Sequence, residues 1–582
     1  MTLDFLWHSA WFFASSKSPC PNWSGFMMHA TSQSITAYDV ASVDFLPIID
    51  LNSSNESCIY STLLFVIEEA KKSKIPVPVI TFDQPLWQKA LGIIKLKKLR
   101  IVCRLGGFHT LMSFLGSIGN IMKGSGLDEL FEEVYAEDTV KHINSGHAVA
   151  RAIRAHLLVQ SALINHITCT LVDQNKLVIE DIESSYKKAM DEGFTNDNLV
   201  TLSESKAIRD MEESIATFSN TMSEKSRTTK LWLSYINYIK VVKEFIVAER
   251  SCNWHLHIQS ITKMQNLFAA TGHRNYAKCS RICVQEMESW TSSNGWLQEQ
   301  FEAGRHAVRR SNRFWAGIWS DLVTEQTLMR SLKCAGGLTR GRGFGENARN
   351  LWTMSVGFTA TVHESMIQLS GVQGGPSDQN VEMGKNRRIK DTEDCQKFFD
   401  WIEVRNSFNT VDNNLHSLST GCISVIGKDK VNCDDAESVG AKIQGQLNDV
   451  IFTEAKILKK YLIVSLEALT NESLDIGCKD PVIVNPTLLF TRLAAIAERE
   501  ENVEQYFDYE LNHQALSLFK NGLMRKPDKA ALKRSLLQDK DSTSTNITQM
   551  QHVLDGGALL HRVPWSKGMK FNEIAAAYVG FV

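Results

Sequence analysis

Three short apolar runs bounded by turn residues lie near the start of the chain: Asp44-Phe-Leu-Pro-Ile-Ile-Asp50, Val77-Pro-Val-Ile-Thr-Phe-Asp83 and Leu99-Arg-Ile-Val-Cys-Arg-Leu105. Runs of this kind suit buried strands. After the first, Ser53-Ser-Asn-Glu56 has the spacing of a capping box, and Ile59, Leu63, Val66 and Ile67 follow at helical spacing through Lys72. A second helical stretch separates the last two runs. Strand, helix, strand, helix, strand predicts an α/β unit with parallel neighbours.

Beyond Gly126 the apolar period lengthens to that of helices. His147 to Ile167 and Thr229 to Glu249 carry apolar faces of helical period, the second through Trp232, Ile236, Ile239, Val242, Phe245 and Ile246. This region reads as a helical insertion. A Gly-rich basic segment, Gly336-Gly-Leu-Thr-Arg-Gly-Arg-Gly-Phe-Gly345, precedes a helix through Trp352 and Met366, and residues 371–392 have the composition of an exposed linker. The remainder to Val582 reads as mainly helical. The predicted fold class is therefore mixed α/β with a large all-helical portion.

Length and charge narrow this only a little. At roughly 100–200 residues per domain, 582 residues make about three or four domains, or one domain with a large insertion. Lys plus Arg (63) and Asp plus Glu (65) nearly cancel, so any nucleic-acid surface would have to be a local patch. The 12 cysteines form no compact framework, which points to a reducing, intracellular compartment. The early apolar stretch Phe5 to Phe13 is broken by His8 and Ser9 and is too short for a bilayer, so neither a signal peptide nor a membrane span is expected.

Candidate chemistry lies on the α/β frame. Asp83 follows the second apolar run, at the strand end where ligands and metals collect in an open sheet; an Asp capping the Gln84-Pro85 turn would look the same. Glu325, in Asp321-Leu-Val-Thr-Glu-Gln-Thr-Leu-Met329, is either a second metal carboxylate or a first-turn residue complementing a helix dipole. Around it, Arg305, His306, Arg309, Arg310 and Arg313 on one side and Arg330, Lys333, Arg340, Arg342 and Arg349 on the other form either a phosphate-binding collar or a solvated helix face. Cys252, His255, His257, His273, Cys279 and Cys283 fall close together, but their spacing matches no zinc finger, and buried thiols with capping histidines explain them more simply. Lys385-Asn-Arg-Arg-Ile-Lys390 could serve as a nuclear localisation signal.

Phe45-Leu-Pro-Ile-Ile, Asn55-Glu-Ser57, Ile80-Thr-Phe-Asp-Gln-Pro85 and Leu105-Gly-Gly-Phe-His-Thr-Leu-Met112 together resemble the core of RNase H-like, DDE-type transposases of the Mutator-like and hAT-like groups. Leu105-Gly-Gly-Phe-His109, Ala269-Ala-Thr-Gly-His-Arg-Asn-Tyr-Ala277, the Asp321 to Met329 segment, Gly336-Gly-Leu-Thr-Arg-Gly-Arg342 and Val553-Leu-Asp-Gly-Gly557 resemble more closely an uncharacterised, multiplied group of transposon-derived animal proteins. That resemblance runs over nearly the whole chain.

What it implies is an RNase H-like core (20–125), a helical insertion (126–300), closing helices of the core that bring in Glu325 (301–370), a linker (371–392) and a mainly helical C-terminal region (393–582) in a chain that continues further in other members. Asp83 and Glu325 would be catalytic metal carboxylates holding Mg²⁺ or Mn²⁺, and His109 would orient the site. Arg309, Arg310, Arg313, Arg330, Lys333, Arg340 and Arg342 would contact DNA. The expected partners are DNA and a second copy of the chain, with neither membrane nor zinc by the hydropathy and Cys/His spacing above, and an intracellular location that the Lys385 to Lys390 run could make nuclear.

Departures from the family pattern count against an intact enzyme. By strand order the first catalytic Asp belongs near Cys20 to Met27, where no Asp stands; Asp39, Asp44 and Asp50 fall on later expected strands. Gly106 stands where the pattern places a Cys before His109. Lacking the first carboxylate, a two-metal site loses a bridging ligand. The expectation is a transposase-derived protein with a degenerate phosphodiester strand-transfer site, or a non-catalytic DNA-binding or protein-interaction scaffold of the same descent.

Overall fold

The computed structural model describes residues 2–14, 19–20, 22–31, 39–43, 52–177, 205–329, 384–405, 413–427, 429–447 and 455–470. It also describes 180, 183–184, scattered positions within 347–370, and 408, 450, 472–474, 482–484, 519–520, 523–524, 563, 566 and 568–581. The run Asp44 to Asp50, the whole Gly-rich basic segment Gly336 to Gly345 and Val553 to Gly557 lie outside these residues.

Two helices, α1 (Thr2–Phe12) and α2 (Trp23–Ala30), precede the α/β unit. α2 corrects an expectation. The Cys20 to Met27 stretch was to hold the first strand, yet Trp23, Phe26, Met27 and Ala30 are buried at helical spacing, and Asn22 caps the helix by accepting from Ser24 N at 2.9 Å. α3 (Glu56–Lys72) buries Ile59 and Leu63 as expected. Its cap is Asn55, which accepts from Ser57 N at 2.9 Å, and not the Ser53 and Glu56 box.

β1 (Val79–Phe82), α4 (Gln84–Lys97) and β2 (Val102–Leu105) form the expected strand-helix-strand unit. Its strands pair in parallel from Val79 opposite Val102 to Phe82 opposite Leu105. Among the described residues this parallel sheet has two strands. β2 is buried along its whole length, as a parallel strand covered on both faces should be.

Helices dominate from there on: α5 (Gly107–Met122), α6 (Leu127–Glu132), α7 (Glu137–Asn144), α8 (Val149–Asp173), α9 (Lys206–Lys225), α10 (Arg227–Arg250), α11 (Trp254–Ala270), α12 (Arg274–Ser293) and α13 (Gly295–Gln300). α12 packs on β2 and α4, and both α10 and α11 pack on α5, so the predicted insertion and the α/β unit share one hydrophobic core. Among the described residues α8 alone is long and apolar enough to cross a membrane, but 83% of its most apolar window is buried inside the protein.

A two-residue antiparallel pair, β3 (Val308–Arg309) with β4 (Gly317–Ile318), leads into α14 (Ser320–Thr324), whose last turn widens through Glu325–Met329. α15 (Lys385–Arg405) changes the linker expectation for residues 385–392, because the chain there is helical and Asp391 is buried against α8. The basic run Lys385 to Lys390 is thus the first turns of a packed helix. A short pair, β5 (Leu415–His416) with β6 (Ile423–Ser424), and α16 (Ala436–Gln446), which packs on α11, follow. Residues 1–513 form one compact unit and 514–582 another; the second contains a short antiparallel pair, Phe519–Lys520 with Leu523–Met524, and the helix Phe571–Phe581.

Candidate functional site

The parallel strands end at Phe82 and Leu105, and each runs straight into a helix. At the first junction the Asp83 side chain accepts from Leu86 N at 3.3 Å and caps α4, with Pro85 in the first turn. At the second, Gly106 N donates to Phe82 O at 2.8 Å, and Gly106, having no side chain, leaves the N-terminus of α5 without a cap of its own.

The cap comes from α14. Asp321 Oδ1 accepts from Phe108 N at 3.2 Å, and Oδ2 accepts from His109 N at 3.2 Å and lies 3.0 Å from His109 Nδ1. A carboxylate there meets both the free N–H groups and the positive end of the helix dipole. Only glycine permits the approach. A Cβ on Gly106 would sit 2.4 Å from Asp321 Oδ2, and one on Gly107 2.2 Å from Trp319 Cδ1. Ser320 Oγ, donating to Thr81 Oγ1 at 3.1 Å, ties the start of α14 to β1. Two of the segments that carried the family resemblance, Leu105 to His109 and Asp321 to Met329, are therefore the two sides of one contact.

His109 is charge-paired. The hydrogen bond to Asp321 holds its imidazole above the usual histidine range, partial burial opposes this, and the Asp83 and Glu325 carboxylates add to the rise. Asp83, Asp321 and Glu325 thus all bear on His109, and the partner that touches it is Asp321, which sequence reasoning passed over. The signal was available: a glycine pair opening a helix with no capping side chain requires a close partner elsewhere.

With its folded pKa raised, His109 contributes stability that is fully present below its unfolded value of about 6.5 and is lost as pH rises through the folded value. His109→Gln should therefore cost stability near pH 6 and progressively less above it, read from urea midpoints across pH 5.5 to about 8.5. A cost that does not change with pH would mean the pair is held by shape and not by charge.

Behind this contact lies a buried polar group. Arg104, on β2, donates through Nη1 to His306 O, and its Nη2 stands 3.3 Å from both Glu249 Oε1 and His257 Nε2. His257 Nδ1 is 2.8 Å from Glu249 Oε1, and the guanidinium also lies over the Trp254 and Phe301 rings. Burial pushes Glu249 up and His257 and His306 down.

The clustered cysteines and histidines between Cys252 and Cys283 go to separate partners. Arg309 Nη1 donates to Cys252 Sγ at 3.2 Å, Gln84 Nε2 to Cys279 Sγ at 3.5 Å, and His273 Nδ1 lies 3.0 Å from Ser117 Oγ. His255 is exposed, 3.6 Å from Glu302, and Cys283 is buried.

Arg309 also corrects the phosphate collar. It is 2% exposed on β3, and its Nη2 donates to the Arg313 carbonyl at 2.7 Å, so its charge is spent inside the protein. Arg310 and Arg313 are exposed, and Arg305 pairs with Asp39 at 3.0 Å. Arg330, Lys333, Arg340, Arg342 and Arg349 lie outside the described residues.

For a divalent cation the donors do not fit as arranged. Asp83 is engaged as a helix cap, both Asp321 oxygens accept backbone N–H groups, and among the described residues no three His, Cys, Asp or Glu side chains converge closely enough to hold a metal ion. What the arrangement can do chemically is hold a proton on His109 beside a carboxylate.

The family model for a domain of unknown function, DUF8702, matches residues 22–510. The chain belongs to the DUF8702 family. The α/β unit, the His109–Asp321 contact and the buried Arg104 group all lie within the DUF8702 match. No curated protein and no solved structure matches the chain.

Proposed function

We propose that the protein is transposase-derived, with an RNase H-like core whose divalent-metal site is degenerate, and that it holds DNA without cutting it. The observation that carries this reading is that Asp83 and the His109–Asp321 pair stand at the C-terminal ends of two parallel strands, with Asp83 and Asp321 committed to capping helices and the Glu325 carboxylate adding to the field at His109. Carboxylates at strand ends are where such an enzyme would keep its metals. In this chain Asp83 and Asp321 stabilise α4 and α5 instead.

An intact site of this class would use Mg²⁺ or Mn²⁺, with Asp83 and Glu325 as ligands and His109 orienting them. The degenerate one leaves binding as the remaining activity, with the exposed Arg310 and Arg313 as phosphate contacts and Arg330, Lys333, Arg340 and Arg342 in the same role. A nuclear location and self-association belong to the same reading.

The test is strand cleavage by the purified protein in Mg²⁺ or Mn²⁺ on DNA carrying the ends of the parent element. No cleavage is expected. Cleavage that disappears in Asp83→Ala would sink the degenerate-site reading and restore the enzyme.

A further inference from the structure

The third resemblance-bearing segment, Ala269 to Ala277, is not part of the His109–Asp321 contact. It forms the corner between α11 and α12, and a segment far along the chain closes over it: Ile463 N donates to Ala270 O at 3.0 Å, while Val464 N donates to Asn432 Oδ1 at 2.8 Å. Gly272 has φ +82, and a Cβ there would lie 3.0 Å from Leu462 Cδ1, so glycine both permits the turn and admits Leu462. The result is a cavity of about 800 Å³, within the size range of small-molecule sites.

Its lining is chemically one-sided. Arg274 and Lys459 bring two positive charges, Ser113 and Thr271 bring hydroxyls, and no carboxylate lines it. The other two described cavities both carry carboxylates: Asp210 and Glu213 beside Lys176 and Lys225 in one, and Glu224, Asp429, Asp434 and Asp435 beside Arg227 and Lys230 in the other. Among the described residues neither the Arg274 nor the Lys459 side chain has a hydrogen-bond or ion-pair partner, whereas Arg227 donates to Asp434 at 2.6 Å. Two unpaired cations sharing a concave wall repel each other unless an anion sits between them.

The remaining walls narrow the anion. Tyr276, Leu462 and Ile463 add apolar surface, and Gln84 adds an amide. His273 is fixed from behind, its Nδ1 3.0 Å from both Ser117 Oγ and Thr271 Oγ1, and burial keeps it below the usual histidine range. Its part is to hold the corner in place.

We propose that this cavity binds a nucleotide phosphate, with Arg274 and Lys459 on the phosphate oxygens and the base against Tyr276, Leu462 and Ile463. The chemistry is that of a free nucleoside monophosphate or of one nucleotide unit in a single strand. It stands apart from the transposase reading, since a protein of any descent with this lining would bind the same group.

Calorimetry of the full chain with adenosine 5′-monophosphate, with adenosine, and with a short labelled oligothymidylate by anisotropy tests this. The monophosphate or the oligonucleotide should bind, adenosine should not, and Arg274→Gln with Lys459→Gln should weaken binding at least about tenfold with an unchanged melting temperature. Binding of the monophosphate identifies a free nucleotide as the source; binding of the oligonucleotide alone identifies a strand. Lys459 is exposed, so Lys459→Gln by itself leaves the core intact and must weaken binding several-fold even if the double variant folds poorly. Equal affinity in wild type and Lys459→Gln, or no binding of either phosphate probe, overturns the proposal. Either result leaves the cleavage test of the transposase reading unaffected.

Discussion

Arg154→Leu is expected to cost about 3–5 kcal/mol of stability, the range for removing one partner of a buried charge group. Arg154 Nε donates to Asp391 Oδ1 at 2.6 Å, Nη2 to Asp394 Oδ2 at 2.6 Å and Nη1 to Tyr135 Oη. Asp391 and Asp394 are 1% and 3% exposed, so the variant strands two carboxylates in the core with only Arg387, 3.2 Å from Asp391, left to compensate. The cost has a ceiling. Burial already pushes the Asp391 carboxyl up with the arginine present, and without it the acid can take a proton instead of remaining charged. The loss should therefore be larger near pH 8 than near pH 5, read from denaturant midpoints at both. A loss under about 1 kcal/mol would place the pair at a wet surface, contrary to its burial.

A second large effect is expected at Arg104→Met, about 3 kcal/mol or more, because Glu249 would remain in the core with only His257 beside it and the His306 carbonyl would lose its donor. The informative measurement is the double-mutant cycle. With Glu249→Gln also introduced, no uncompensated carboxylate remains, and much of the loss should return as a coupling energy above about 1 kcal/mol. Additive losses would show that Arg104 acts by packing between Trp254 and Phe301 and not by charge.

These two arginines also show where local reading of a sequence fails. β1, α4 and β2 were legible because apolar runs bounded by Asp83 and by the glycine pair after Leu105 carry their own start and stop signals. α8 and α10 were legible because an apolar face of helical period, sustained over 20 or so residues, commits a segment to a helix packed against a core. The first turns of the helix at 385–405 were not, since they are basic and follow Gly-Pro-Ser composition, and what holds them is Arg154, more than 200 positions away. Nor was α2: in Trp23 to Ala30 a short apolar run fits a strand and a helix equally, and the Asn22 cap decides it.

The candidate site divides in the same way. Asp83 was found, with both its readings, and the capping one is what the hydrogen bond to Leu86 supports. On α14 attention went to Glu325, one turn beyond Asp321 on the same face, because spacing alone does not say which turn meets α5. The contact is set by Gly106, Gly107 and Trp319, whose close approach is a three-dimensional fact. Arg309 looked like its neighbours Arg310 and Arg313, but strand alternation turns it inward, onto Cys252.

On the proposed reading Asp83 and Asp321 serve the fold and not a metal. Thermal unfolding with increasing Mn²⁺ decides between the two, since a cation bound only by the folded protein raises stability by about 2.7 kcal/mol at a hundredfold excess over its dissociation constant. Wild type should melt at the same temperature with and without Mn²⁺, and Asp83→Ala with Asp321→Ala should melt lower by a margin that Mn²⁺ leaves unchanged. A Mn²⁺-dependent rise in wild type that vanishes in the double variant would make these carboxylates metal ligands and overturn the degenerate-site reading.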